Sequence, residues 1–142
     1  MKHVRAVVFD LDGTLLDTLD TLAAAHNQAL ADHGHPAQPV DAYRYFIGNG
    51  ARKCVERSLP EAARDDATID AVTASFKRIY DNAWRDGTKP YDGIPELVAT
   101  LCERGYPLAV LSNKDHPFTQ KIIRYFFDEG TVGVVQGHSP EV

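Results

Sequence analysis

Residues 4–17, VRAVVFDLDGTLLD, pass from a short apolar run directly into a turn that carries carboxylates. Apart from Arg5, the run is continuous and rich in β-branched residues, which favours a strand covered on both faces, as in a parallel sheet. Asp10 ends the run, and Asp12 follows in a turn that Gly13 allows to fold tightly. Ligands of open parallel sheets bind beyond the carboxyl ends of the strands, so this turn is the candidate site.

The same apolar pattern recurs twice further along the chain. Tyr106 to Leu111 and Thr131 to Val135 predict two more buried strands, each preceded by a helical pattern. Between the first two strands, residues 16–89 show helical periodicity over a length far greater than a parallel crossover requires. We therefore predict an α/β core formed by residues 1–15 and 90–142, with an all-helical cap inserted at residues 16–89.

Composition and charge narrow the possible partners and location. The 142 residues carry a net charge of −5 without a Lys/Arg-rich run, which argues against nucleic-acid binding. No stretch approaches the roughly 20 apolar residues that span a bilayer, and the first apolar run is too short for a secretory signal. We expect a cytoplasmic protein in which Cys54 and Cys102 are reduced, buried thiols.

The pair Asp10 and Asp12 predicts a particular chemistry. Two neighbouring carboxylates repel each other unless a cation or a proton occupies the site, and Mg²⁺ is the usual cation beside phosphates. With the repulsion masked, one carboxylate can attack a phosphoryl group while the other protonates the leaving oxygen and later activates water. We assign these roles to Asp10 and Asp12 respectively, and both residues to the metal. The alternative is that both residues only form a turn, for which Asp and Gly are ordinary residues.

Two segments carry a family resemblance. Residues 9–18, FDLDGTLLDT, resemble the first motif of the haloacid dehalogenase superfamily, and residues 110–114, VLSNK, resemble its second motif. The resemblance implies a Rossmann-like, three-layer parallel sheet, a Mg²⁺ cofactor, and phosphate binding by Ser112 and the Asn113 backbone amide, together with Gly13 and Thr14. For Ser112 and Asn113 the alternative is an ordinary strand-to-helix turn.

A loop in the helical insertion carries a second resemblance. Residues 48–52, GNGAR, resemble the cap loop of the phosphoglycolate phosphatase-like branch, which reaches into the active site. The resemblance implies that Asn49, Gly50 and Arg52 contact the substrate, with Arg52 pairing with an anionic group. An exposed Arg at the start of a helix is the alternative.

The sequence also departs from the family pattern. The family places a Lys after the third strand and an acidic pair after a fourth, and the sequence ends at Val142 before either; Lys114 belongs to the second motif. The family's first strand is central in its sheet, so we expect residues 4–9 to form an exposed apolar edge here. We expect the sequence to be a portion of a longer protein, with a true truncation as the alternative.

Together these features predict a Mg²⁺-dependent phosphatase that hydrolyses a small phosphate monoester, phosphoglycolate by default, through an aspartyl-phosphate. Asp12 argues against the dehalogenases and phosphonate-cleaving relatives, which lack an acid there. The alternatives are a β-phosphosugar mutase, a receiver-type signalling domain, and a truncated, inactive chain that binds phosphate or metal. The expected partner is a small phosphate ester, without nucleic acid or membrane, and the expected state is a monomer or weak homodimer.

Aromatic residues and histidines elsewhere are assigned to packing or to the surface. Tyr43, Tyr45, Phe46 and Trp84 are expected to pack the cap helices. The histidines, among them His26 and His116, show no spacing typical of metal ligands, so we interpret them as packing or surface residues.

Overall fold

The computed structural model describes residues 3–140 and divides the chain into two compact units. An α/β unit comprises Met1–Asp17 and Lys89–Val142, and a helical unit comprises Thr18–Thr88. Met1, Lys2, Glu141 and Val142, which the sequence analysis assigned to the ends of the core, lie outside the described residues. The boundaries differ from the expected 16–89 because residues 16–17 pair with residues 89–90 in a short ladder, which places both segments in the α/β unit.

Among the residues that the structure describes, the α/β unit contains five strands and two helices. These are β1 (Val7–Phe9), β2 (Leu16–Asp17), β3 (Lys89–Pro90), α5 (Ile94–Glu103), β4 (Leu108–Asp115), α6 (His116–Phe126) and β5 (Val134–His138). The strands β1, β4 and β5 form a parallel sheet in the order β1-β4-β5, whereas β2 and β3 form an antiparallel pair. A parallel sheet with helical crossovers confirms the predicted α/β class, and β1 is an edge strand of the described sheet, as expected.

All three strands of the parallel sheet begin later than the apolar runs predicted. The ladder between β1 and β4 starts beside a hydrogen bond from the Val7 N–H to the Pro107 carbonyl at 3.0 Å. Pro107 itself has no N–H to donate and lies just before β4. β4 then continues through Asp115, four residues beyond the predicted end. Before β5, the Thr131 N–H donates to the Asp128 carbonyl in a turn, so the strand starts only at Val134.

The two faces of the parallel sheet differ in exposure. Paired residues share a face, and one face carries Leu108, Val110 and Ser112, which are all buried. On the other face Val8 lies opposite Ala109, which lies opposite Val134, and both valines are 62% exposed. Helix α6 packs against β4 and β5, and right-handed crossovers that run in the same direction along a sheet carry their helices on the same face. In the described residues, the face that carries Val8 and Val134 is therefore the more exposed face of the parallel sheet.

The helical unit contains four helices and two short 3₁₀ turns. The helices are α1 (Leu19–Asp32), α2 (Tyr43–Phe46), α3 (Ala51–Ser58) and α4 (Asp66–Ala83), with 3₁₀ turns at Val40–Ala42 and Glu61–Ala63. α4 packs against both α1 and α3. The Asp65 carboxylate accepts the Thr68 N–H at 2.9 Å and so caps α4, and this hydrogen bond lowers the pKa of Asp65.

Stacked rings fill the centre of the helical unit. His26 is buried, and its ring lies 3.8 Å from the Phe76 ring and 5.6 Å from the Tyr43 ring, centroid to centroid. The Tyr43 hydroxyl donates to Asn27 Oδ1 at 2.7 Å. The predicted packing roles are confirmed for His26, Tyr43 and the buried Trp84, and Phe46 packs partly buried against Tyr43. The prediction is wrong for Tyr45, which is 82% exposed.

The two cysteines occupy different environments. Neither cysteine forms a disulfide; Cys54 is buried, as expected, but Cys102 is exposed, so its predicted burial is wrong. Cys102 lies on α5, where Val98 is the one described residue that is fully buried. Within residues 3–140, none of the helices combines the length and the apolar composition needed to cross a membrane.

Candidate active site

The turn after β1 is held by one carbonyl group and by buried leucines. The Leu11 carbonyl accepts the N–H groups of Thr14, Leu15 and Leu16 at 3.2, 3.1 and 3.2 Å, and the side chains of Leu11, Leu15 and Leu16 are all buried. Gly13 lies at φ +77°, a conformation that side chains rarely adopt, and its N–H donates to the Leu16 carbonyl at 3.0 Å. The turn is therefore fixed by main-chain hydrogen bonds and by the burial of its leucine side chains.

The two acidic residues of this turn differ in their surroundings. Asp10 is exposed and directly follows β1, and its Oδ1 accepts the Leu11 N–H at 2.8 Å. The Asp12 side chain is 18% exposed, and its Oδ2 lies 3.3 Å from Nζ of Lys114, whose side chain is 9% exposed. The structure thus leaves the Asp10 carboxylate open to solvent and pairs the Asp12 carboxylate with an ammonium group.

The end of β4 brings the second motif beside the first. Phe9 lies opposite Val110 on the adjacent parallel strand. Asp10 comes one residue after Phe9, and Ser112 comes two residues after Val110, so the two motifs lie at the same edge of the sheet. Ser112 is buried, and its Oγ accepts the Lys114 N–H at 3.1 Å. Because β4 runs through Asp115, Ser112 and Asn113 lie on a strand, and the alternative of an ordinary strand-to-helix turn is wrong.

The end of β5 is fixed by a contact that the sequence analysis missed. The Gly137 N–H donates to Nδ1 of His116 at 3.0 Å, across 21 residues of chain. A Cβ on Gly137 would lie 2.5 Å from the His116 Cα and 2.6 Å from the Lys114 carbonyl oxygen, so only Gly fits. Thr119 donates to that same carbonyl at 3.2 Å. No local pattern announces this cluster, because its members become neighbours only once the strands are paired.

Of the predicted phosphate-binding residues, two have their amides engaged in the turn itself. The Gly13 and Thr14 N–H groups donate to chain carbonyls, while the Thr14 side chain is exposed. Asn113 is exposed at the end of β4. Phosphate contacts from Gly13, Thr14, Ser112 and Asn113 stay predictions, and a contact from Gly13 would require its N–H to leave the Leu16 carbonyl.

The predicted substrate loop of the helical unit has an internal role in the structure. Gly50, at φ +88°, precedes α3, and Asn49 is exposed. Arg52 binds Asp66 at 2.6 Å and Asp70 at 2.9 Å, and these hydrogen bonds raise the pKa of Arg52. The guanidinium group therefore ties α3 to α4. Substrate contact by Asn49, Gly50 and Arg52 stays a prediction.

The donors at this site fit a magnesium ion that is shared with a phosphate. Within residues 3–140 no group of three or more His, Cys, Asp or Glu side chains is placed to hold a metal. Mg²⁺ commonly binds through one or two carboxylates, keeps several waters and takes further oxygens from a phosphate. Two carboxylates together with water and phosphate oxygens would match that mode rather than a closed protein cage, and metal binding by Asp10 and Asp12 stays a prediction.

The family model described as haloacid dehalogenase-like hydrolase matches residues 4–141. The chain belongs to this family. The match covers both motifs and nearly all the described residues, so the resemblance found at residues 9–18 and 110–114 extends over both units.

Several proteins to which the chain is similar bear the name phosphoglycolate phosphatase, which is one branch of this family. The chain is 34% identical over 131 residues to phosphoglycolate phosphatase 1 of Pseudomonas aeruginosa, covering 86% of this chain and 48% of that protein. It is 36% identical over 124 residues to the phosphoglycolate phosphatase of Yersinia pseudotuberculosis, covering 86% and 53%. A crystal structure described as a predicted phosphoglycolate phosphatase from Haemophilus somnus matches with a TM-score of 0.90 and 27% identity, covering 100% of this chain and 67% of that one.

The extent of these matches limits what they transfer. The chain spans about half the length of the curated relatives it matches. The likeness establishes the family and the Rossmann-like parallel fold of the haloacid dehalogenase core, and it leaves the activity of the whole protein to be proposed.

Proposed function

We propose that this protein is a Mg²⁺-dependent phosphatase that hydrolyses a small phosphate monoester of the phosphoglycolate type. The single observation that carries the proposal is the joined set Asp12, Lys114 and Ser112, which links the turn after β1 to the end of β4. Phosphoglycolate is proposed because the relatives described above bear that name. A cytoplasmic location and a monomeric or weakly dimeric state belong to the same proposal.

The proposed reaction has two steps. The exposed Asp10 carboxylate attacks phosphorus, so that an O–P bond forms to Asp10 and the ester O–P bond breaks. Asp12 gives its proton to the departing alkoxide and then takes a proton from the water that attacks the aspartyl-phosphate, which restores Asp10 and releases phosphate. Bound Mg²⁺ would offset the negative charge that the carboxylates and the phosphoryl group bring together.

The different surroundings of the two carboxylates support this division of roles. A nucleophile has to reach the phosphorus, and Asp10 is exposed directly at the end of β1. An acid and base has to be held in one orientation, and Asp12 is largely buried against Lys114. The buried Ser112 hydroxyl, on the adjacent strand, is suited to donate a hydrogen bond to a phosphoryl oxygen.

The test is turnover by the purified protein with Mg²⁺, first of an aryl phosphate and then of a panel that includes phosphoglycolate and a hexose phosphate. We expect release of inorganic phosphate, and loss of at least about a thousandfold in kcat/KM for Asp10→Asn. Asp41→Asn in the helical unit, at a side chain that is 88% exposed, is the matched control and should retain activity. Activity that survives Asp10→Asn would exclude Asp10 as the nucleophile, and isomerised sugar without free phosphate would indicate the mutase instead.

A further inference from the structure

We propose that Lys114 is a positioning residue that acts as the built-in counter-cation of the acidic turn, weakening its affinity for metal and strengthening its affinity for phosphate. This inference rests on the proposed function of the same site. In the sequence, Lys114 stands out only as a member of the second motif.

Lys114 is held in place at three points. Its N–H donates to Ser112 Oγ at 3.1 Å, its carbonyl accepts the Thr119 hydroxyl at 3.2 Å, and its ammonium lies 3.3 Å from Asp12 Oδ2. The side chain is 9% exposed, so a water shell does not replace the pairing with Asp12. The hydrogen bonds of the Lys114 N–H and carbonyl fix its main chain, and the side chain is almost fully covered. The fold itself therefore sets the position of this positive charge.

The chemical consequence follows from counting charges. With Asp12 ionised, as in its pairing with Lys114, Asp10 and Asp12 bring two negative charges to the turn, and Lys114 reduces the sum to one. The acid role of Asp12 in the proposed reaction belongs to the protonated form, and this charge count to the ionised form. A divalent cation is then attracted less strongly than to two unpaired carboxylates, whereas a phosphate dianion is repelled less strongly. The buried ammonium should therefore shift binding in opposite directions for the two ligands.

This opposite shift separates an electrostatic role from a packing role. If Lys114 only supported the shape of the site, its removal would loosen the turn and weaken the binding of both ligands together. If it acts through its charge, one affinity rises while the other falls. A second lysine on the same unit supplies the control, since Lys121 is exposed on α6 with its ammonium 5.5 Å from the centre of the Phe118 ring.

The experiment measures two affinities in the full chain, without any turnover. Mn²⁺ binding is titrated by electron paramagnetic resonance, and inorganic phosphate binding by calorimetry at saturating Mg²⁺. Lys114→Met should raise the Mn²⁺ affinity by about fivefold or more and lower the phosphate affinity by about the same factor. Lys114→Arg, which keeps the charge, should restore both values towards wild type, and Lys121→Met should leave both within about twofold.

Each other outcome counts against the inference. A parallel loss of both affinities assigns Lys114 to packing, and unchanged affinities, or effects that match those of Lys121→Met, remove its electrostatic role. Absence of Mn²⁺ binding from both wild type and Lys114→Met would show that the turn is not a cation site and would overturn the inference. Turnover is scored separately: opposite shifts in a protein without phosphatase activity would sustain this inference while the proposed function fails.

Discussion

The helical unit and the α/β unit differ in how completely they bury their apolar side chains. Among residues 3–140, the helical unit exposes two large apolar side chains, Val40 and Tyr45, which lie on separate short elements. The α/β unit exposes seven, which are Val4, Val8, Tyr91, Leu97, Leu111, Tyr125 and Val134. Three of these seven, Val8, Leu111 and Val134, lie together on the open face of the parallel sheet.

This difference assigns stability and chemistry to different units. The helical unit has the better-buried core, and the α/β unit holds the candidate site. The helical unit closes a core of its own around Tyr43, His26 and Phe76. The α/β unit holds the candidate catalytic residues at the edge of a sheet that is covered on one face. Substitutions should therefore act unequally, with large losses of stability in the helical core and small ones on the open face.

The largest effect should come from the ring stack of the helical unit. Phe76 is 3% exposed, and Phe76→Ala should lower the free energy of unfolding by about 3–5 kcal/mol through lost burial and the cavity that remains. Val134→Ala, at a side chain that is 62% exposed, should change it by less than about 1 kcal/mol. Urea unfolding followed by circular dichroism measures both, and comparable losses would show that the open face is covered in solution.

A smaller but definite loss should follow from the tight contact at the end of β5. Gly137→Ala introduces a Cβ within 2.6 Å of backbone atoms, so the strand or the start of α6 must shift, at a cost of about 1–3 kcal/mol. Gly133→Ala is the matched control, because its Cβ would lie 3.7 Å from the Leu108 carbonyl oxygen, in ordinary contact. If thermal unfolding shows equal stability for the two variants, the close approach of Gly137 to His116 is not formed.

The sequence allowed the parallel sheet and the neighbourhood of Asp10, Asp12 and Ser112 to be predicted because each is encoded locally. A continuous apolar run followed by polar residues marks the carboxyl end of a strand, and such ends meet at one edge of a parallel sheet. The run of residues 4–9 did not reveal that one of its faces is open. Apolar residues on both faces of a strand show that both faces can be buried. They do not show which other segment of the protein covers each face.

The features that were missed depend on long-range pairing or on very short elements. The ladder between β2 and β3 has two residues in each strand, too few to show a period, and it joins segments about seventy residues apart. The contact between Lys114 and Asp12 had a detectable signal, since Lys114 follows Ser112 by two residues at the end of the adjacent strand. The exposure of Cys102 and Tyr45 had no detectable signal in the sequence. Apolar or aromatic character alone does not determine which side of its helix a residue occupies.

A prediction of intermediate size uses two tyrosines of one short helix. Burial raises the pKa of Tyr43 above its ordinary value of 10.0, because the charged form is poorly solvated there. The folded state therefore holds this proton more tightly than the unfolded chain, so the contribution of Tyr43 to stability is complete below pH 10 and is lost as the pH rises further.

Tyr43→Phe should remove part of this alkaline loss of stability, and at neutral pH it should cost about 1 kcal/mol for the hydrogen bond to Asn27. Tyr45→Phe, two residues along and 82% exposed, is the control and should leave both quantities unchanged. Denaturant midpoints between pH 7 and about pH 11 provide the measurement. An alkaline decline of the same size in both variants would place the Tyr43 hydroxyl in water.

The smallest effect on stability should accompany the clearest effect on association. Val8→Thr combined with Val134→Thr keeps β-branched shape in both strands, so the free energy of unfolding should change by less than about 1 kcal/mol. Both substitutions remove apolar area from one contiguous row, and such rows drive contacts between molecules. Sedimentation over a range of concentrations should then show weaker self-association than in wild type.

Val40→Thr, at a side chain that is 43% exposed but lies in the helical unit, should leave association unchanged. Equal behaviour of the double variant and Val40→Thr would mean that the open sheet face does not mediate contacts between copies, and the contrast between the two units would then concern burial alone.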